Sequence, residues 1–184
     1  MKTLTLQLSL TTLTLFASST AFAVEPHMET LLNGIDSIPR PADLLMFLDE
    51  PVVELEQAAS DQSVPLYYRL RATSFLSSLN EIGGREALRR LCDDADPEVR
   101  RHAVYGLLRS TPGTLSADEW TKVTSMLQND APEVRKDIVR GFRWSRDSRS
   151  AERLAALTVQ AGPLKSLAVH VLKRRNVLMK APLR

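Results

Sequence analysis

Apolar side chains recur along this chain at helical intervals, and one set of them occurs twice. Val99, Ala103, Gly106 and Leu107 stand at i, i+4, i+7 and i+8, on one face of an α-helix. Val134, Ile138, Gly141 and Phe142 repeat those steps 35 residues later. Around them Pro97-Glu98-Val99-Arg100 returns as Pro132-Glu133-Val134-Arg135, and 7 of the 14 positions from Pro97 to Ser110 match their counterparts. Self-similarity at a fixed period predicts a repeat architecture, in which each unit buries its apolar face on the next.

The polar residues around each stripe predict where its helix starts. Pro97 and Pro132 suit the first helical turn, where a missing N–H would have no partner anyway. Asp96 directly before Pro97, and Asp130 two residues before Pro132, are expected N-caps whose charge also complements the helix dipole. Gly106 and Gly141 each cost about 1 kcal/mol against alanine inside a helix. Their recurrence at one register position predicts a place where neighbouring helices approach closely.

Weaker copies flank this pair. Tyr68, Arg69, Ala72 and Leu76 match Val99, Arg100, Ala103 and Leu107 at an offset of 31, with Ser63 as the expected cap and Pro65 in the first turn. Leu164, Lys165, Ala168 and Leu172 match Val134, Arg135, Ile138 and Phe142 at an offset of 30, and Ala161-Gly162-Pro163 replaces the acidic cap. Partner helices are predicted over Gly84–Cys92, Ala117–Gln128 (capped by Ser116) and Ser150–Gln160, with Thr111-Pro112-Gly113 as an interhelix loop. Short helices over Glu29–Ile35, Pro41–Asp49 and Val52–Ala59 are broken by Pro39, Pro41 and Pro51. No strand-like alternation occurs. The expected fold is all-α: an α-solenoid of about four helical hairpins over residues 63–184, closed by a short N-terminal helical cap over residues 24–62.

The run Asp96-Pro97-Glu98-Val99-Arg100 resembles the signature of HEAT repeats, particularly the short bacterial form named after phycobilisome lyases. Asp130 to Arg135 is a variant with one residue inserted. The resemblance extends over about Ser63 to Lys173. It implies HEAT-like hairpins in which the acidic residue caps the second helix and the arginine pairs with acidic groups of a neighbouring repeat. It also implies a general role in binding. Such units occur in scaffolds, bilin lyases and some nucleic-acid repair enzymes, so no activity transfers with them.

Composition adds a compartment. Lys2 is the only charge before Glu25, Leu4 to Phe16 is an apolar stretch, and small residues lead to Ala21-Phe22-Ala23. That order is expected of a secretory signal over residues 1–23, cut after Ala23, and of a periplasmic or secreted protein. The apolar stretch is shorter than the ~20 residues that span a bilayer. Cys92 is the only cysteine, so no intramolecular disulfide forms. It precedes Asp93 and Asp94 at a helix end, where a thiolate is disfavoured, so an inert buried thiol is expected.

Charge divides the chain. From Val24 to Val134 there are 10 basic and 19 acidic residues, a balance of −9. From Arg135 to Arg184 there are 13 basic and 3 acidic, a balance of +10. Such asymmetry points to an anionic partner or to head-to-tail self-association. The densest cluster is Arg140, Arg143, Trp144, Arg146, Arg149 and Arg153. Arginine holds phosphate or carboxylate bidentately and the indole adds stacking area, so this is the candidate binding patch. Two plainer accounts compete: cations offset a helix C-terminus, and Trp144 packs between repeats. Lys173-Arg174-Arg175 follows an apolar face of Leu164, Leu167, Ala168, Val171 and Leu172, which burial on a neighbouring helix explains without a membrane.

Catalytic and metal signatures are missing from the sequence. His27, His102 and His170 are widely separated and show no ligand spacing. Gly83-Gly84 is an isolated pair, and no Gly-x-Ser-x-Gly elbow occurs. Asp93-Asp94-Ala95-Asp96 reads as capping. No cofactor is expected. The expected function is a non-catalytic scaffold or adaptor that binds another protein. The alternative is docking of the basic half on an anionic lipid or polysaccharide, with nucleic acid not expected. A bilin-lyase-like enzyme ranks third, because the substrates in the family it resembles are cytoplasmic.

Overall fold

Ten helices, and no strand, form among the residues that the structure, a computed structural model, describes: 26–33, 40–79, 83–110 and 114–178. They are α1 (Pro26–Asn33), α2 (Pro41–Phe47), α3 (Pro51–Ser60), α4 (Leu66–Leu76) and α5 (Gly84–Leu91), followed by α6 (Pro97–Ser110), α7 (Ala117–Asn129), α8 (Pro132–Gly141), α9 (Ser148–Val159) and α10 (Lys165–Leu178). The all-α expectation holds. The expected leader over residues 1–23, Ile35 and the Thr111-Pro112-Gly113 loop lie outside the described residues. No described helix is long and apolar enough to cross a membrane.

Sequential neighbours pair, α3 with α4, α5 with α6, α7 with α8 and α9 with α10. The second member of each pair packs in turn on the next, α4 on α6, α6 on α8 and α8 on α10, while α1 contacts α4. One continuous apolar core results, from Met28 in α1 to Val171 in α10. The repeated stripe is its spine: Val99, Ala103, Leu107, Ile138 and Phe142 are fully buried, and Val134 nearly so. Burying one such Leu, Ile or Phe contributes roughly 1.5–3 kcal/mol, against about 1 kcal/mol lost at a helical glycine, so packing outweighs propensity here.

The caps follow the sequence in part. Asp96 accepts the Glu98 N–H at 2.9 Å, and Ser116 forms a reciprocal capping box with Glu119, both as expected. Asp130 does not cap α8. The inserted Ala131 occupies that position, and the Asp130 carboxylate faces Arg100 instead, at 2.7 and 2.9 Å. Ser63 does not cap α4 either. Pro65 holds extended backbone just before the helix, so α4 starts at Leu66 and the Ser63 N–H turns back to Asp61 at 2.8 Å. The Gly83-Gly84 pair has a structural use. Gly83 adopts φ +105°, and a Cβ on Gly84 would lie 2.3 Å from the Leu76 carbonyl oxygen.

Helix ends that stop inside a protein leave carbonyls without partners, and here arginines answer them. Arg69, only 4 % exposed, donates from Nε to Ala59 O in the last turn of α3 and reaches Asp94 and Asp96 with its other nitrogens. Arg100, one unit on, donates to Asp94 O and Ala95 O and forks onto Asp130. Arg135 donates to Leu127 O in α7. The corresponding place of the next pair holds Ala161-Gly162-Pro163, with no carboxylate. Arg175 takes the same part by another route, from α10. It is 5 % exposed and donates to Phe142 O, Ser145 O and Asp147 O around the end of α8. Burial lowers its pKa from the ordinary arginine value, and Asp147 partly offsets that.

The two repeated glycines face different neighbours. A Cβ on Gly141 would lie 2.7 Å from Cδ1 and 3.1 Å from Cβ of the buried Leu108, whereas one on Gly106 would meet Ser77 Cβ at 3.3 Å. Gly141→Ala is therefore expected to destabilise the protein by about 1–3 kcal/mol through overpacking, and Gly106→Ala by less than about 1 kcal/mol, since gained helix propensity offsets a milder contact. Denaturant midpoints of the two variants check this; equal midpoints would contradict the close approach of α6 and α8.

Candidate functional site

The same offsets that align the buried stripe align the solvent-facing side of the second helices. His102, Tyr105 and Arg109 on α6 correspond to Arg71, Ser74 and Ser78 at the end of α4. In the next pair they correspond to Asp137 and Arg140 on α8 and to Trp144 just after it, and on α10 to Leu167, His170 and Arg174. All twelve positions are half-buried or exposed, Leu167 being the one that packs against the core, so each second helix presents a largely open row.

Between α4 and α6 this open side sinks into a groove of about 510 Å³. Its α4 wall is Ser74, Ser77 and Ser78, and its α6 wall is His102, Tyr105, Gly106 and Arg109. The serine protons are engaged along their own helix: Ser74 Oγ donates to Leu70 O, Ser77 to Ser74 O and Ser78 to Phe75 O, at 2.9, 2.6 and 2.7 Å. His102 Nδ1 stands 3.0 Å from Glu98 O. A carbonyl only accepts, so Nδ1 carries the proton. Tyr105 Oη accepts from Trp144 Nε1 at 3.1 Å, which ties the rim of the groove to the end of α8.

The six residues of the arginine-rich cluster go three ways. Arg149 turns onto Asp147, forking on its carboxylate at 2.6–3.2 Å, and donates to Leu115 O while lying 4.9 Å over the Trp120 ring. Arg140 is held by Asp137, which also pairs with Arg101 at 3.3 Å. Arg143 stacks over Trp144 with its guanidinium 4.2 Å from the ring. Arg146 is exposed, Arg153 is half-buried, and neither makes an ion pair with a described residue. The structure thus ties Trp144, with Arg143 stacked on it, to the groove residue Tyr105, leaves Arg140 on Asp137, and joins Arg149 to an internal knot. Trp144 does bridge neighbouring helices, and 36 % of it remains exposed.

That knot centres on Asp147, which is 1 % exposed. Its carboxylate caps α9 through the Arg149 N–H and accepts the Leu115 N–H at 3.0 Å. Hydrogen bonds from Arg149 hold its pKa below the usual carboxylate value despite the opposing effect of burial. Elsewhere on the surface, a second hollow of about 460 Å³ is lined by Cys92, Asp93, Asp94 and Asp130 together with Arg100 and Lys122. Its charges pair among themselves or with Arg69: Asp130 with Arg100, Asp93 with Lys122, Asp94 with Arg69. Burial pushes the Cys92 thiol up to about 12, so at neutral pH it is no nucleophile. Among the described residues, no group of three His, Cys, Asp or Glu side chains is placed to hold a metal ion.

Sequence reasoning missed the groove. Four of its seven lining residues, Ser74, Ser78, Tyr105 and Arg109, sit at the register positions of Arg140 and Trp144 in neighbouring units, so the repeat offset was the available signal. Comparison of the chain with protein-family models, with curated proteins and with solved structures finds no match.

Stability should depend on pH through Asp147. Its folded pKa is depressed, so its contribution is fully present above the unfolded value of about 3.9 and is lost as pH falls through the lower folded value. Asp147→Asn is expected to cost about 2 kcal/mol at pH 7 and to flatten the decline below pH 4. Unfolding free energies across pH 2–7 test this; parallel curves for variant and wild type would exclude it.

Proposed function

We propose that this protein is a non-catalytic adaptor of the cell envelope or secreted space, built as a short solenoid of four HEAT-like hairpins. The hairpins are α3/α4, α5/α6, α7/α8 and α9/α10, and the open rows of α4, α6, α8 and α10 form the surface that binds another protein. The groove between α4 and α6 carries this reading. It offers hydrogen-bond donors and acceptors in one concave place, between the first two rows of a face repeated across the units. Support also comes from α2, where Leu45, Met46 and Phe47 are 54, 71 and 57 % exposed. Apolar exposure of this kind is what another protein surface covers and a polyanion does not. The signal-like first 23 residues support the compartment.

Photo-crosslinking residues introduced at Ser78, Arg140 and Arg174, on the open rows, are expected to capture one and the same protein in the native envelope. At Thr121 in α7 and Ala155 in α9, both exposed and on first helices, they are expected to capture little. Adducts confined to the first helices would overturn the assignment of the binding face.

A second reading has its own observation: Arg143, Arg146 and Arg153 make no ion pair with a described residue, and Lys173 and Arg174 are exposed. In that reading the basic half docks on an anionic lipid or polysaccharide. Replacing Arg140, Arg143 and Arg146 with glutamate would then abolish binding to phosphatidylglycerol vesicles, and added salt would do the same to wild type. Vesicle binding that survives the triple replacement would rule it out.

A further inference from the structure

We infer that the groove between α4 and α6 takes an extended acidic segment of a partner protein, with an Asp or Glu carboxylate held between Arg109 and Tyr105. This rests on the adaptor reading and narrows it to one site and one ligand chemistry.

The hydrogen-bond polarity of the walls makes the case. Each serine donates to a carbonyl of its own helix, so toward the groove Ser74, Ser77 and Ser78 offer only lone pairs. His102 carries its proton on Nδ1, against Glu98 O, and this leaves Nε2 for the ligand. The α4 wall is thus a row of acceptors, suited to peptide N–H groups.

The far end of the α6 wall has the opposite sense. Tyr105 Oη already accepts the Trp144 indole N–H, so the proton of the phenol is left for an acceptor from outside. Arg109, one helical turn on, is exposed and makes no ion pair with a described residue. A carboxylate meeting both gains a charge-assisted hydrogen bond from the guanidinium and a second hydrogen bond from the phenol. No carboxylate lines the groove to compete for them. Gly106 lines the groove between them, and the missing side chain there lets Ser77 approach α6 closely.

This arrangement selects among anions. A phosphate or sulfate polymer brings acceptors at every repeat and would set them against the serine lone pairs, with a single lining arginine in return. A lipid surface is flat and cannot enter a groove. A peptide supplies N–H donors along its backbone and acceptors on an acidic side chain, in the alternation that these walls present. The groove volume, about 510 Å³, is in the range of clefts that bury a small ligand, and so suits an acidic side chain with its adjoining backbone.

Fluorescence anisotropy with the folded protein tests this. The probes are fluorescein-labelled decapeptides of random sequence around a fixed central Glu-Asp pair, each with a Gln-Asn counterpart. Acidic members are expected to bind at least about tenfold more tightly than their amide counterparts. Arg109→Glu is expected to weaken them by about tenfold or more, and Tyr105→Phe by about fivefold. Lys165→Glu, exposed and off the open rows, is expected to change binding less than about twofold, with circular dichroism confirming that all variants fold. Equal binding of acidic and amide peptides, full binding by Arg109→Glu, or no bound member in the library would each overturn the proposal. Crosslinks that persist at Arg140 and Arg174 in that event would leave the adaptor reading standing without this groove; their loss as well would remove both.

Discussion

Carbonyl groups at the ends of buried helices are the constraint around which this structure is arranged. Carbonyls in the last turns of α3 and α7, in the loop after α5 and around the end of α8 are met by arginine side chains, and those at α3 and α8 lie buried. An unpaired buried carbonyl costs on the order of 1–3 kcal/mol, comparable to the gain from burying a leucine. Arg69, Arg100, Arg135 and Arg175 offset that penalty; the guanidinium groups of Arg69, Arg100 and Arg175 each serve two or more acceptors, and Arg135 serves Leu127 O. Arg69 and Arg100 then use their remaining nitrogens to reach carboxylates of the next pair, so one residue finishes one helix and ties down its neighbour.

The charge distribution takes on a different meaning in that light. Many arginines in this chain are internal fittings rather than surface charge, and Arg149 and Arg175 belong to them although both lie in the basic half. What remains for a ligand is Arg109 beside the groove, Arg143 stacked on Trp144, the half-buried Arg153, and the exposed cations at Arg146, Lys165, Lys173 and Arg174. They are spread from α6 to α10 rather than gathered on one face of a single helix, which suits separate contacts with acidic groups of a protein better than the dense coverage a polyanion engages. Asp147 shows the complementary economy of design: a single buried carboxylate joins the start of α9, the segment before α7 and the arginine that follows it.

Much of the helical plan was legible because the stripes from Val99 to Leu107 and from Val134 to Phe142 follow a 3.6-residue period that only a helix can bury. The caps were legible where cap and helix are adjacent in sequence, as at Asp96 and Ser116. They failed where one inserted residue, Ala131, moved the cap position, and where Pro65 delayed the helix. A one-residue change in spacing reads as small in sequence, but it rotates a side chain about 100° around the axis and sent Asp130 to Arg100. The groove was not legible because serine, tyrosine and arginine at helical positions look like any solvated face until two helices are set side by side.

The sequence by itself determined that apolar faces recur at intervals of 30 to 35 residues, that they are helical, and that the two halves carry opposite charge. These are local properties, written in the order of residues along one helix. Only the tertiary structure decided which arginines turn inward, which glycine of the repeated pair is crowded, and which polar residues share a groove. Each of those depends on distances between residues about 30 positions apart. Distances of that kind are fixed by how side chains interlock across helices, and no period within a single helix encodes them.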